Sequence, residues 1–173
     1  NGPKMLRVAG RCANGVIAST GVTPRILQYV KDSLEQGMRE VGRKPGDVEI
    51  LLHVGCDISE DRKSARNNVK SYVARRVLAP LPRSLSGFSE KDVQTFRAAY
   101  SLSGHLQAGA SHSDLVKDEW IDRFALAGDS EECLDKLMML QEQGLDEVFV
   151  LPITASSIEL IRKFAEKIFP RFH

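Results

Sequence analysis

The amino-acid sequence begins with a short stretch, Gly2-Pro3-Lys4, whose residue types are suited to binding an anion. Proline is favoured in the first turn of a helix, and the apolar residues that follow recur at helical spacing. The backbone N–H groups of a helix start attract phosphate, and Lys4 would add a positive charge. The same three residues also make an ordinary helix start with a solvated lysine, and the residues alone favour this simpler interpretation.

A second group of small and hydroxyl residues, Ala18, Ser19 and Thr20, lies at the end of the strand pattern NGVIAS at 14–19. Their amides and hydroxyls can donate hydrogen bonds to a ligand. They suit equally well a capping loop for the helix that Pro24 opens. Both interpretations stay open at this point.

Other polar residues of the chain do not form a recognisable catalytic set. His53 lies on an otherwise apolar strand pattern at 48–58, where a histidine is more often a satisfied core residue than a catalyst. Gly55, Cys56 and Asp57 end that strand, where they could contact a bound ligand. His105 and His112 lie in a loop-rich segment without a carboxylate or serine at triad spacing, so a solvated loop is favoured. No catalytic residue is assigned.

The composition describes a soluble globular chain of one domain, with 173 residues of which 42% are hydrophobic and 27% charged. Its 24 lysines and arginines nearly balance 23 acidic residues, so we expect no nucleic-acid partner. The chain has no apolar run of membrane-spanning length and no signal-peptide pattern, which predicts no membrane partner and a cytoplasmic location. Cys12, Cys56 and Cys133 lack metal-site spacing and are interpreted as buried thiols, without a metal.

Helical and strand patterns alternate along the chain. Helices are predicted at 3–13, 24–42, 62–79, within 89–101, from Asp129 or Ser130 to Gly144, and from Ser156 or Ser157 to Pro170; strands are predicted at 14–19, 48–58 and 147–153. An insertion of loops and a helix occupies about 80–117, and regular alternation resumes with DEWIDRFALAG at 118–128. Three strands separated by helices predict an α/β fold with a parallel sheet and right-handed crossovers.

Four stretches in this order carry a family resemblance: GPKMLRVAGRCANGVIAS, ISEDRKSARNNVKSYVA, FALAGDSEECLDKLMMLQEQGLDEVFVLP and FAEKIFPRF. They resemble the C-terminal part of the bacterial luciferase-like flavin or deazaflavin monooxygenases and reductases. Within this family, the GPKML helix start is most similar to the branch that includes the deazaflavin-dependent methylenetetrahydromethanopterin reductases. The resemblance covers nearly the whole chain.

The resemblance implies a fold, the C-terminal part of a (β/α)8 TIM barrel. Family members form a complete barrel, and the first motif lies where their fifth strand has just ended. Residues 1–173 would then be a single partial domain with the sixth to eighth strands, their flanking helices and the helical insertion. Strand edges at 14–19 and 147–153 would be uncovered. The expected partner is the missing N-terminal half of the barrel, or a second copy in a homo-oligomer.

The resemblance also implies a function, that of a cofactor-dependent oxidoreductase or monooxygenase acting on a small-molecule substrate. The cofactor would be a deazaflavin coenzyme or FMN. Gly2, Pro3 and Lys4 would cradle its phosphate, and Ala18, Ser19 and Thr20 would line the phosphate and ring site. The alternative is a stand-alone half-barrel that serves as a binding or assembly module without redox activity.

Overall fold

The computed structural model describes residues 2–79, 81–99, 111–153 and 156–172. The strands in this part of the chain are β1 (Gly15–Ala18), β2 (Glu49–Ile58), β3 (Ala125–Gly128) and β4 (Glu147–Pro152). The α-helices are α1 (Pro3–Cys12), α2 (Pro24–Glu40), α3 (Arg62–Asn68), α4 (Lys70–Ala74), α5 (Arg83–Ser86), α6 (Glu90–Ala99), α7 (Asp118–Phe124), α8 (Ser130–Glu142) and α9 (Ser157–Lys163). A π-helical turn, Phe164–Ile168, continues α9.

Side-chain caps begin several helices where the sequence predicts them. Thr23 Oγ1 accepts a hydrogen bond from the Ile26 N–H at the start of α2. Asp129 is the cap of α8 and forms a capping box with Glu132, and Ser156 caps α9. The two choices that the sequence left open, at 129–130 and 156–157, are therefore settled in favour of the earlier residue.

The structure adds detail to the predicted pattern at two places. The helix predicted at 62–79 is divided at Val69 into α3 and α4 and then tightens into a 3₁₀ turn, Arg75–Leu78. Most of DEWIDRFALAG forms helix α7, and only its last four residues form a strand, β3. The described sheet therefore has four strands where the pattern predicts three.

All strands of the sheet run parallel, with β2 at its centre. Leu51 pairs with Ile17 of β1 and with Glu147 of β4, so these two strands lie on opposite sides of β2. β3 pairs with residues 55–58 of β2, beyond the end of β1. It lies on the same side of β2 as β1, because β4 occupies the other side. The C-terminal ends of β2, β3 and β4 lie close together at one end of the sheet, where ligands bind in parallel α/β folds, whereas β1 ends earlier, beside Leu52.

The two faces of β2 have different surroundings. Alternate residues Ile50, Leu52, Val54, Cys56 and Ile58 are buried in one core with α1, α2, α8 and α9. The opposite face carries Ile17, Leu51, His53 and Phe149, which we call the open face. Helices α3–α7 form a second core over its C-terminal end, against Ala125, Ala127 and Leu151.

Helices α1 and α2 cross closely because each has a glycine at the contact. A Cβ atom on Gly10 would lie 2.1 Å from the Leu34 carbonyl oxygen, and one on Gly37 would lie 1.9 Å from the Arg7 carbonyl oxygen. Distances this short are impossible for real Cβ atoms, so the crossing requires glycine at both positions. The contact holds α1 against the longer helix α2, and with it the residues Gly2, Pro3 and Lys4 at its start.

The outer edges of the sheet are uncovered within the described residues, as the sequence predicts. β1 and β4 each pair with β2 alone. Ile17 is 68% exposed and Phe149 is 54% exposed. An apolar groove of about 490 Å³ follows the free edge of β4 and is lined mainly by β4, α8 and the C-terminal helix.

The structure corrects one interpretation of the cysteines. Cys56 and Cys133 are buried thiols, as predicted, but Cys12 is exposed at the end of α1. Its thiol donates to the Val8 carbonyl oxygen at 3.2 Å. None of the helices in the described ranges is both long and apolar enough to cross a membrane.

Candidate functional site

The start of α1 is an exposed helix N-terminus that carries the predicted residues Gly2, Pro3 and Lys4. Gly2 is the extended residue before the helix, and its carbonyl accepts from the Met5 and Leu6 N–H groups, each at 3.1 Å. Pro3 and Lys4 are exposed, and the first turn has no acidic residue. The positive end of the helix dipole and the lysine therefore act together at this surface.

Strand alternation separates the three candidates that follow β1. Ala18 is 1% exposed and packs in the core between the sheet and the helices. Ser19 belongs to the opposite face and is half-buried. Thr20 lies in the loop that leads to α2 and is buried. Among these three, Ser19 is the residue whose side chain joins a polar cluster.

That cluster, which we call the Arg76 cluster, consists of Ser19, His53, Tyr72 and Arg76. Arg76 Nη1 donates to the Ser19 carbonyl oxygen at 2.5 Å, and Nη2 donates to Ser19 Oγ at 2.9 Å. Ser19 Oγ lies 3.0 Å from His53 Nδ1. The Tyr72 hydroxyl donates to the His53 carbonyl oxygen at 3.2 Å, and the Arg76 guanidinium lies over the Tyr72 ring, 4.7 Å from its centroid. The cluster joins the end of β1 to β2 and α4.

The electrostatics of the cluster are those of a buried cation without a carboxylate. Arg76 is 7% exposed, and the titratable groups acting on it in the described ranges are the neutral Tyr72 hydroxyl and the Arg75 cation. Burial lowers the pKa of Arg76. The pKa of His53 is also lowered, first by burial and then by the charges of Arg76 and Arg75. His53 is therefore held as a neutral imidazole near pH 7.

An aromatic pair extends the cluster onto the open face. The His53 ring stacks with the Phe149 ring at a centroid distance of 5.4 Å and an interplanar angle of 24°. Phe149 remains more than half exposed, and Ile17 and Leu51 continue this surface toward the start of the strands. Glu49 and Glu147 lie on the same face, nearer the start of the strands. The stacked rings form an exposed surface that suits a planar heteroaromatic group.

The structure does not bring the residues at the end of β2 into an open site. A Cβ atom on Gly55 would lie 2.5 Å from the Tyr72 ring, which covers this residue. The Cys56 side chain belongs to the core between the sheet and the helices. Asp57 is buried and accepts a hydrogen bond from Asn68 Nδ2 at 2.7 Å. His105 lies outside the described residues, as does the side chain of His112.

Sequence reasoning missed Tyr72 and Arg76, which lie within the helix predicted at 62–79 and were given no role. One local signal was available, since an aromatic residue and an arginine four positions apart lie on the same face of a helix. That spacing predicts a guanidinium over a ring. It does not reveal the contact with Ser19, which is 57 positions away along the chain.

The chain is similar to proteins of one family over most of its length. The model of the luciferase-like monooxygenases matches residues 1–147. A 5,10-methylenetetrahydromethanopterin reductase of Archaeoglobus fulgidus is 26% identical over 168 residues, covering 94% of this chain and 50% of the relative. An F420-dependent glucose-6-phosphate dehydrogenase of Microbacterium testaceum is 22% identical over 172 residues, covering 99% of this chain and 46% of the relative.

The fold comparison agrees with the sequence comparison. The solved coenzyme F420-dependent tetrahydromethanopterin reductase from Methanopyrus kandleri matches with a TM-score of 0.81 at 24% identity, covering 99% of this chain and 49% of that chain. The chain thus spans about half the length of the relatives it matches. The predicted fold class, the C-terminal part of a TIM barrel, is confirmed. Since the family model matches most of its residues, the chain belongs to the luciferase-like monooxygenase family.

Proposed function

We propose that this chain is the C-terminal half of a cofactor-dependent oxidoreductase that acts on a small-molecule substrate. The observation that carries the proposal is the Arg76 cluster at the C-terminal end of β1 and beside the open face, the end of the strands at which barrel enzymes bind their ligands. Coenzyme F420 is the favoured cofactor because two of the relatives described above are named as F420-dependent. FMN is the alternative cofactor.

The residues present fit such a cofactor at two separate places. The exposed start of α1, with Gly2, Pro3 and Lys4, suits a phosphate. The stacked pair of His53 and Phe149, beside Ser19, suits a planar ring. Because the Ala18 side chain is buried in the core, Ala18 would contribute through its backbone, whereas Ser19 holds His53 in place. Thr20 would support the loop that leads to α2.

The bound cofactor would supply the hydride or oxygen chemistry, and this chain would bind and orient it. His53 would keep a neutral, polar ring edge beside the ring site. The apolar residues Ile17, Leu51 and Phe149 would exclude water from it.

A functional site of this kind needs a second structural unit. The free edges of β1 and β4 and the apolar groove beside β4 would be covered by the N-terminal half of a barrel, or by a second copy of the chain. The half-length match to the relatives favours the N-terminal half. Without it, the chain would supply only part of the phosphate site and part of the ring site.

The experiment that tests the proposal is expression of the complete open reading frame that encodes this chain. Intact mass would show whether further βα units precede residue 1. We expect the complete product to bind F420 in the micromolar range and to change the absorbance of F420 when its substrate is added. The isolated chain should bind F420 no more tightly than the millimolar range, and micromolar binding by fluorescence quenching would contradict this expectation.

The second candidate function is a binding or assembly module without redox activity, for which the long apolar groove beside β4 is the supporting observation. Expression of the complete open reading frame also distinguishes the two candidate functions. If the open reading frame starts directly before Asn1 and its product binds neither F420 nor FMN, the module is correct and the oxidoreductase proposal fails.

A further inference from the structure

Two neighbouring arginines, Arg75 and Arg76, place two positive charges around one aromatic ring. The Arg75 guanidinium lies 5.4 Å from the centroid of the Tyr72 ring, and the Arg76 guanidinium lies 4.7 Å from it. Burial is the largest cause that lowers the pKa of Arg76, and the charge of Arg75 lowers it further. The two cations therefore repel each other, and holding them together costs the folded chain stability.

The carboxylates of the chain leave these charges uncompensated within the described ranges. All 23 aspartates and glutamates of the sequence lie in those ranges, and none of them forms an ion pair with Arg75 or Arg76. Arg66, which is less buried than Arg76, pairs with both Asp118 and Asp122. Since buried charges are normally paired, the two neighbouring arginines favour a negative group that this chain does not supply.

The hydrogen bonds of the two guanidinium groups leave donors available. Both terminal nitrogens of Arg76 donate to Ser19, whereas its buried Nε atom has no partner among the described residues. Arg75 is half-buried, and within the described ranges its guanidinium contacts the Tyr72 ring without donating a hydrogen bond. The planar fork of an arginine can donate to two oxygens of a carboxylate or phosphate. Arg76 thus supplies a fixed charge, and Arg75 supplies an accessible pair of donors.

The two arginines lie beside the candidate ring site. Arg76 contacts Ser19 just beyond β1, and the Tyr72 ring covers Gly55 near the end of β2. Burial and then the charges of both arginines lower the pKa of His53, whose ring lies on the open face. A positive potential in a partly buried site attracts anions and is screened by salt less than that of an exposed charge.

We propose that Arg75 and Arg76 form an anion site that binds a carboxylate or phosphate group of the small molecule held at this end of the sheet. Because the cofactor phosphate is assigned to the start of α1, the substrate is the favoured source of that group. The substrate would then be an organic acid or a phosphate ester. This inference rests on the proposed function for the identity of the ligand, whereas the anion site itself depends on residues of this chain.

Nitrogen NMR of the isotope-labelled chain tests the anion site with inorganic phosphate, without a cofactor or an activity assay. The Nε–H signal of Arg75 is identified by its loss in Arg75→Gln. We expect this signal to shift as millimolar phosphate is added, and to shift much less with chloride at the same ionic strength. An Arg75 signal that phosphate moves no more than chloride does would overturn the inference.

Arg76→Lys and Arg162→Gln form the test variant and its control. Arg76→Lys loses the planar fork, so we expect phosphate to bind at the Arg75 signal about tenfold more weakly, the loss of one charge-assisted hydrogen bond. Arg162 is an exposed arginine without an ion pair in the described ranges, on α9 at the other face of the sheet, and Arg162→Gln should keep the wild-type affinity. Equal affinities in all three proteins would contradict the role of Arg76. If Arg76→Lys does not fold, the wild-type titrations with phosphate and chloride still decide.

The complete product distinguishes the sources of the negative group. If the substrate supplies it, Arg75→Gln should bind F420 like the wild type in a fluorescence titration. A tenfold loss of F420 affinity would assign the site to the cofactor and overturn the assignment to the substrate. An Arg75 signal that phosphate shifts in the isolated chain but not in the complete product would show that the N-terminal half supplies a carboxylate, and would overturn the ligand site altogether.

The same measurements separate this inference from the proposed function. If phosphate does not move the Arg75 signal but the complete product turns over F420, the proposed function stands and this inference alone fails. If phosphate binds at Arg75 but the complete product binds neither F420 nor FMN, the anion site stands and the proposed function fails.

Discussion

Ser19 illustrates how a shift of one position along a strand changes the face of the sheet on which a side chain lies. Ala18, Ser19 and Thr20 are equivalent candidates in the sequence, because each follows the same strand pattern. Strand alternation buries Ala18 in the helix-side core and turns Ser19 toward the open face. The period of two was available from the sequence. The sequence does not show which face of the sheet is open, because this depends on where α3–α7 pack.

The first prediction at this scale concerns Lys4 in the complete protein. A charge-assisted hydrogen bond to a phosphate adds enough affinity that Lys4→Ala should weaken cofactor binding by about tenfold. Turnover at saturating cofactor should change little, since ground state and transition state lose the same contact. Fluorescence titration at low salt measures the affinity.

The control for this prediction is Lys91→Ala, which removes an exposed lysine from α6, far along the chain from the start of α1. We expect this variant to bind the cofactor like the wild type. An unchanged affinity in Lys4→Ala would show that the start of α1 is only a structural helix end.

A second prediction at the residue scale concerns the pH dependence set by His53. Its pKa is lowered in the folded state by burial, Arg76 and Arg75. The unfolded chain therefore takes up a proton at this histidine at a higher pH than the folded chain does. Stability falls as the pH decreases below the unfolded value of about 6.5, and the loss continues down to the lowered folded pKa.

His53→Gln should remove this part of the pH dependence. Urea unfolding at about pH 8 and about pH 5.5, on either side of the ordinary histidine pKa, measures it as the change in the free energy of unfolding. We expect a smaller loss for the variant than for the wild type, since the carboxylates contribute equally to both. An equal loss in the two proteins would show that His53 titrates normally.

At the scale of elements, sequence reasoning works where the signals are local. The start of α8 is given by Asp129 and Glu132, whose side chains cap the helix within one turn. The sequence pattern does not predict the division at Val69 or the helix at 118–124, because both depend on packing. Trp120 and Phe124 are buried in the second core with Val69, and this tertiary packing sets both features.

The prediction at this scale concerns the α1–α2 crossing. Gly10→Ala and Gly37→Ala place a Cβ atom about 2 Å from a backbone carbonyl oxygen of the other helix, so the helices must separate. Overpacking of this kind costs about 1–3 kcal/mol, against a gain of at most about 1 kcal/mol in helix propensity. Each variant should therefore lower the free energy of unfolding, measured with urea.

Gly15→Ala is the matched control, because a Cβ atom there would have its nearest contact at 3.6 Å. We expect its stability to stay within about 0.5 kcal/mol of the wild type. A wild-type stability for both Gly10→Ala and Gly37→Ala would mean that the two helices do not cross at these glycines. In the complete protein, the same two variants should also weaken cofactor binding, since they move α1.

At the scale of the whole molecule, the fold was more predictable than the site. Ordered strands and helices, with a family resemblance across the chain, were enough to predict a partial barrel. The Arg76 cluster was not predictable, because Ser19, His53 and Arg76 are brought together only by the pairing of β1 with β2 and by the packing of α4 over Gly55. Contacts between distant positions leave no periodic signal in a single sequence.

The last prediction concerns association, which follows from the uncovered surfaces. Among the described strands, β1 and β4 leave one edge each without a partner, and the groove beside β4 exposes apolar side chains. Unpaired backbone groups and apolar faces of this kind promote pairing with another chain. We expect the isolated chain to associate in sedimentation velocity experiments.

Two variants test which surface is responsible. Phe149→Glu places a charge on the open face and should reduce the association. Val41→Glu changes a similarly exposed apolar residue at the end of α2 and should leave the association unchanged. A monodisperse, protease-resistant monomer would contradict the requirement for a second structural unit.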